Sequence, residues 1–110
     1  NTIMKLVILN ITPVDSIKVT NYLRKSAVYF TKIASVGGVI SNGNYTYLIK
    51  LNEEQLSEII KNLAALCRSR KVKINSINNV EMGMFHNIST TQKEGGASIF
   101  VIDLEQFIKV

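Results

Sequence analysis

An almost unbroken apolar run near the start of the chain constrains the fold most. The segment "IMKLVILNI", from Ile3 to Ile11, is rich in branched apolar residues and contains only two polar ones. Such a run is typical of a central strand buried on both sides, because successive side chains of a strand point to opposite faces of the sheet. We therefore expect a sheet covered on both faces, in a single domain formed by residues 1–110.

Capping residues and apolar spacing predict a first helix directly after this strand. Thr12 and Pro13 suit the first positions of a helix, and Asp15 lies where an acid reaches back to the cap. The helix is expected to end near Ser26. Its expected buried stripe consists of Ile17, Leu23 and Ala27.

A second helix is predicted to begin at Asn52, with Gln55 completing the capping pattern. Cys67, the single cysteine, is expected to be a small buried residue of its apolar face. One cysteine excludes an internal disulfide and suits a reducing compartment, so we expect a cytoplasmic protein. The apolar residues at helical spacing are Leu56, Ile59, Ile60, Leu63, Ala64 and Cys67.

Further strands are predicted on both sides of the second helix, and Asn42-Gly43 predicts a hairpin between two of them. The segment from Glu81 to Gly96 is polar, lacks periodicity and is expected to be irregular and mobile. The predicted strands are Tyr29 to Val36, Tyr45 to Leu51, Val72 to Val80 and Gly95 to Leu104.

The resulting order is β-α-β-β-α-β with an extra strand before the last one. This order predicts an α+β, ferredoxin-like fold, in which two helices cover one face of an antiparallel sheet. The strands are apolar on both sides, so the other face also needs cover. Self-association would provide that cover.

Residues for catalysis or metal binding are sparse. His86 is the only histidine. One cysteine and one histidine make no zinc site within a single chain. A metal site shared between subunits would combine His86 with carboxylates. Asp103 and Glu105 are expected to cap a short helix in the C-terminal tail. We expect no enzyme activity, cofactor or metal.

Two Gly-Gly pairs allow two interpretations. Gly37-Gly38 and Gly95-Gly96 suit turns that need a positive φ, but bare backbone amides also line sites for a base or a phosphate. Polar residues accompany the first pair, which favours a ligand there. The choice stays open from these residues alone.

The net charge of +5 raises the question of partners. The densest basic cluster, Arg68 to Lys73, follows a predicted helix and complements the negative end of its dipole. Few aromatic residues accompany it, which argues against nucleic acid, and no apolar run is long enough to cross a membrane. Small anionic ligands remain compatible with the charge. We also expect residues 1–3 to be non-native residues before a native Met4.

Two separated motifs resemble one family. "TKIASVGGVISNGNYTYL" and "GGASIFVIDLEQF" are similar to stretches of the PII-like cyclic-di-AMP receptor proteins of Gram-positive bacteria. The resemblance implies a PII-type homotrimer without catalytic activity, with nucleotide sites in the clefts between subunits. It also implies signalling to a downstream protein through loops that rearrange when the dinucleotide binds.

The resemblance also implies site residues. Thr31 and Asn44 match residues that hydrogen-bond an adenine, and Lys32 or Lys109 would meet phosphate. Val39 stands where the family has a stacking Phe, and a lost ring would weaken binding about 10- to 100-fold. Tyr29, Lys50 and Lys109 also depart from the family's pattern. The expected ligand-binding residues are Thr31, Lys32, Gly37, Gly38, Val39, Asn44, Phe100 and Lys109.

Three functional hypotheses follow. The first is a non-enzymatic signalling trimer that binds a small nucleotide, with cyclic-di-AMP as the best candidate. The second is a protein-interaction trimer that has lost nucleotide binding and works through residues 81–96. The third is a metal-handling trimer that resembles the CutA-type proteins, supported only by His86.

Overall fold

The computed structural model describes residues 3–34, 44–76 and 88–110. Within these ranges the chain forms an α+β fold with two α-helices and six strands. The elements in chain order are β1 (Met4–Ile11), a 3-10 turn (Pro13–Asp15), α1 (Ser16–Lys25), β2 (Tyr29–Ala34), β3 (Tyr45–Asn52), α2 (Glu53–Cys67), β4 (Arg70–Ser76), β5 (Ile88–Glu94) and β6 (Ala97–Leu104).

Four strands form the main sheet in the order β2-β3-β1-β6, and every neighbouring pair is antiparallel. β3 therefore lies between β1 and β2, which is the split βαβ arrangement of ferredoxin-like folds. This confirms the predicted α+β class. β4 and β5 pair separately as a two-stranded ribbon.

The core lies between the helices and one face of the main sheet. Tyr47 anchors it, because its hydroxyl group lies 2.9 Å from the hydroxyls of both Ser16 and Thr20 on α1. Cys67 is buried as predicted, and desolvation raises the pKa of its thiol to about 11. Neither described helix is long and apolar enough to cross a membrane. The buried apolar residues are Val7, Leu9, Ile11, Val19, Leu23, Tyr47, Ile49, Leu51, Ile59, Leu63 and Cys67.

The predicted buried stripe of α1 is partly wrong. Ile17 is 77% exposed, and Ala27 lies beyond the helix with a φ of 55°. Leu23 is buried as predicted, together with Val19 four residues before it, whereas Ile17 lies six residues before Leu23 and therefore about 120° around the helix from it. Asp15 does not reach back to the cap, because its carboxylate forms ion pairs with Lys18 and Arg70.

The predicted start of α2 is confirmed. The backbone N–H of Asn52 donates to Oε1 of Gln55 at 3.0 Å, as in a capping box. The apolar face is narrower than predicted, since Ala64 is exposed and Leu56 and Ile60 are half-buried.

The segment from Glu81 to Gly96 was predicted to be irregular. This prediction is wrong for Ile88–Glu94, which forms β5. β4 also begins at Arg70 rather than at Val72. Among the residues that the structure describes, β5 pairs only with β4, and its side chains at 91–93 are exposed. The alternating apolar pattern that normally indicates a strand is therefore missing from its sequence.

Candidate functional site

The face of the main sheet that points away from the helices, here called the open face, is covered among the described residues only near β2, where Phe107 of the C-terminal tail packs against Tyr29. Alternation along the strands and the pairing register place its side chains in rows across the sheet. Apolar side chains on this face remain accessible, with Phe100 58% and Ile102 48% exposed. The three rows, each from β2 to β6, are Ile33, Thr46, Asn10 and Ser98; Thr31, Leu48, Ile8 and Phe100; and Tyr29, Lys50, Leu6 and Ile102.

Two predicted site residues, Thr31 and Phe100, lie in the same row at opposite edges of the sheet. Thr31 is on β2 and Phe100 is on β6, with β3 and β1 between them. At the usual spacing of neighbouring strands, this separates them by about 14 Å. One subunit therefore does not bring both residues to the same base.

A cavity of about 190 Å³ lies beside Thr31. The C-terminal tail folds over it, and the rings of Tyr29 and Phe107 meet edge to face with centroids 4.8 Å apart. Lys50 Nζ lies 4.6 Å from the centroid of Phe107, and Lys109 Nζ lies 5.6 Å from that of Tyr29. Tyr29, Lys50 and Lys109, which depart from the family's pattern, thus form one aromatic and cationic cluster.

A second cavity of about 180 Å³, here called the polar notch, lies at the other end of the open face. The predicted residue Asn44 lines it beside Asn10 and Thr12. Asn10 Oδ1 and Thr12 Oγ1 are buried and have no hydrogen-bond partner among the described residues. The residues lining the notch are Asn10, Thr12, Asn44, Gly95, Gly96, Ala97 and Ser98.

Sequence reasoning missed Asn10, Thr12 and Ser98 as candidates. Asn10 carried a usable signal, because it is a polar residue inside the apolar run of β1. The strand pairing places it directly between Thr46 and Ser98 on the neighbouring strands. That neighbourhood depends on the order of the strands, which the spacing of residues along the chain does not reveal.

The remaining predicted site residues lie elsewhere. Lys32 is on the helix side of β2, where its Nζ lies 4.1 Å from the centroid of the Tyr45 ring. Gly37, Gly38 and Val39 lie outside the described residues, as does His86. The described part of the chain contains no group of three potential metal ligands.

The prediction that Asp103 and Glu105 cap a short helix is wrong, because the tail after β6 contains no helical turn. Asp103 instead pairs with the ammonium group of Lys5 on the neighbouring strand β1. The side chain of Asp103 is exposed, so this pair contributes little to stability.

The second Gly-Gly pair meets a structural need. Gly95 and Gly96 have φ values of 83° and 97°, and Gly96 N–H donates to the Cys67 carbonyl at 2.6 Å. A Cβ at Gly95 would lie 2.6 Å from Nη1 of Arg70 and 2.9 Å from the Arg68 carbonyl oxygen. Turn geometry and close packing therefore account for glycine at position 95.

Asp15 lies beside this turn, with a fully buried carboxylate. Arg70 Nη2 lies 2.9 Å from Asp15 Oδ1, and Lys18 Nζ lies 3.2 Å from the same oxygen. Burial disfavours the ionised carboxylate, but the hydrogen bonds and charges of Arg70 and Lys18 outweigh it and lower the pKa of Asp15 below its ordinary value. The ion pair with Asp15 holds Arg70, the first residue of β4. It thereby also positions the turn at Gly95 and Gly96, which line the polar notch.

Comparison with known proteins identifies the family. No curated protein matches the sequence. The structure is similar to the crystal structure of a functionally unknown protein from Pediococcus pentosaceus ATCC 25745, with a TM-score of 0.80 and 22% identity over 100% of both chains. That likeness supports the fold alone. The family model described as cyclic-di-AMP receptor matches residues 4–110. This match spans almost the whole sequence, and the chain therefore belongs to the cyclic-di-AMP receptor family.

Proposed function

We propose that the protein is a non-enzymatic signalling homotrimer that binds cyclic-di-AMP in the clefts between its subunits. The family match over residues 4–110 carries this proposal. The open face supports the assembly, because its apolar side chains remain exposed in a single subunit. A chain of 110 residues buries only a thin core by itself and gains stability when a second copy covers such a face.

The arrangement of the row that contains Thr31 and Phe100 favours a site shared between subunits. The two residues lie at opposite edges of one sheet, about 14 Å apart by strand spacing. Both contact the same nucleotide if Thr31 comes from one subunit and Phe100 from its neighbour.

The aromatic and cationic cluster compensates for the missing ring at Val39. Tyr29 and Phe107 border the cavity beside Thr31, so a base entering there has an aromatic ring to stack on. Lys50 and Lys109 place two ammonium groups over these rings, where they attract the phosphates of the dinucleotide. The departures from the family's pattern thus preserve stacking and positive charge.

A mixed-subunit experiment tests the shared site. Thr31→Val and Phe100→Leu are each expected to weaken cyclic-di-AMP binding in a uniform trimer. In trimers formed by refolding the two variants together at equal amounts, about one quarter of the clefts combine an intact Thr31 with an intact Phe100. Calorimetry should recover that fraction of parent-like sites.

The alternative outcomes separate the hypotheses. A site within one subunit yields no parent-like sites in the mixture, because every subunit carries one of the two changes. A parent trimer that binds no nucleotide supports the interaction trimer working through residues 81–96. Binding of divalent metal without nucleotide supports the CutA-like metal-handling trimer.

A further inference from the structure

We infer that the groove between α1 and α2 binds an acidic amphipathic helix of a protein partner. The groove has a volume of about 550 Å³ and is lined by side chains of these two helices. It lies on the other side of the helices from the sheet. The inference therefore goes beyond the proposed nucleotide site and does not depend on it.

The lining of the groove comes from one stripe of each helix. Asn62 Nδ2 donates a hydrogen bond to the Tyr22 hydroxyl at 2.8 Å, which ties the two stripes together. The helix residues that face the sheet, among them Leu23 and Leu63, are fully buried. The groove thus opens away from the sheet and stays accessible when the open face is covered. The stripes contain Lys18, Tyr22 and Lys25 on α1 and Asn62, Ala65 and Leu66 on α2.

The floor of the groove is apolar. Tyr22 and Leu66 are half-buried and pack against the core, so their outer surfaces form the bottom of the groove. Ala65 beside Leu66 is exposed, and its short side chain leaves the space above the floor open. An apolar side chain that enters the groove leaves water, which favours binding.

The rim of the groove is positively charged. Lys18 and Lys25 are exposed, and no acidic side chain lines the groove among the described residues. Lys18 Nζ lies 3.2 Å from Asp15 Oδ1, but Asp15 also pairs with Arg70, so its single charge is divided between two cations. Lys25 forms no ion pair with a described residue. Charge complementarity therefore favours an acidic occupant.

The spacing of the two lysines favours a helix as that occupant. Lys18 and Lys25 are seven residues apart on α1, which corresponds to about 10.5 Å along the helix axis. A partner helix that lies along the groove presents side chains seven positions apart at the same spacing. Two acids at these positions meet the two ammonium groups. Apolar side chains three and four positions after the first acid lie on the same face of the partner helix and reach the floor.

A synthetic peptide with this pattern tests the inference. An Ala-rich peptide of about 18 residues is long enough to form a helix in water. It carries two Glu seven positions apart and two Leu between them, three and four positions after the first Glu. Fluorescence anisotropy should detect saturable binding to the parent protein without nucleotide. Replacing both Leu by Ala, or both Glu by Lys, should weaken this binding at least about tenfold.

Lys25→Glu is compared with Arg24→Glu as the matched control. Both residues are exposed in the last turn of α1 and undergo the same change of charge, but only Lys25 lines the groove. We expect Lys25→Glu to weaken binding of the Glu-Leu peptide about tenfold, and Arg24→Glu to weaken it less than about threefold. Of two further peptides, each with one Glu exchanged for Lys, one should restore the parent's affinity to Lys25→Glu, because opposite charges then face each other again.

Two results would overturn the inference. One is a parent protein that does not bind the Glu-Leu peptide. The other is an equal loss of binding in Lys25→Glu and Arg24→Glu, when both variants keep the parent's melting temperature, because attraction to the net charge of the protein then accounts for the binding. Calorimetry with cyclic-di-AMP on the same parent protein tests the proposed function separately, so either claim can fail while the other stands.

Discussion

The contact between Asp15 and Arg70 yields a prediction about stability and its pH dependence. Asp15→Asn keeps the size of the side chain but removes a buried negative charge that lies 2.9 Å from Arg70 Nη2. Arg70 then loses its closest anionic partner. Its side chain is 32% exposed and retains Glu94 at 3.4 Å, which reduces the penalty. Because the charge left behind is not buried, the cost is that of losing hydrogen bonds to a buried carboxylate, and we expect a loss of about 1–3 kcal/mol in the free energy of unfolding at pH 7.

The same contact fixes the sign of the pH dependence. The pKa of Asp15 is lower in the folded protein than the value of about 3.9 typical of an unfolded chain. Its contribution is therefore present above pH 4 and is lost as the pH falls through the folded pKa. The difference between the parent and Asp15→Asn should shrink as the solution is acidified.

Urea unfolding at several pH values and one fixed protein concentration measures this difference. Asp103→Asn is the matched control, because Asp103 is 79% exposed and its pair with Lys5 should contribute little to the free energy of unfolding. The reasoning is refuted if Asp15→Asn unfolds at the parent's urea midpoint at pH 7. A difference of the same size at pH 2.5 would also refute it, since the charge would then be irrelevant.

Three further predictions concern assembly, the turn and the ligand. Ile102→Glu places a charge on the open face and should dissociate the proposed trimer in light scattering, whereas Ile17→Glu on the exposed side of α1 should not. A trimer that persists in Ile102→Glu argues against this face as the interface. Gly95→Ala should lower the melting temperature more than Gly96→Ala. A Cβ at position 95 would lie 2.6 Å from Arg70, whereas a Cβ at position 96 would lie 3.8 Å from its nearest atom. Equal melting temperatures of the two variants would contradict this. Asn44→Ala should weaken cyclic-di-AMP binding by about 1–3 kcal/mol in calorimetry while the trimer stays intact, and unchanged affinity would leave only a turn role for this region.

The sequence predicted the elements whose periodicity comes from burial. β1 and α2 both pack against the core, so their apolar spacing is visible along the chain. α1 was placed correctly and Leu23 lies on its buried face, but Ile17 does not, because six residues of helix turn it about 120° away from Leu23. β5 was missed because its described side chains at 91–93 are exposed, so that no burial imposes alternation there.

The candidate site was less accessible to sequence reasoning. The two family-like motifs indicated Thr31 and Phe100, but only the strand order shows that they lie at opposite edges of the sheet. The unpaired atoms of Asn10 and Thr12 depend on contacts between distant parts of the chain. No local pattern of residues carries such information.

Titration calorimetry with cyclic-di-AMP, at a protein concentration where light scattering gives the mass of a trimer, measures nucleotide binding to the assembled protein. We predict saturable binding of one nucleotide per subunit, because a homotrimer has as many clefts as subunits. Val39→Phe should tighten this binding by about 1–3 kcal/mol, since it supplies a further ring for stacking. An intact trimer that shows no saturable binding, either in the parent or in Val39→Phe, would contradict the claim that the protein is a cyclic-di-AMP receptor.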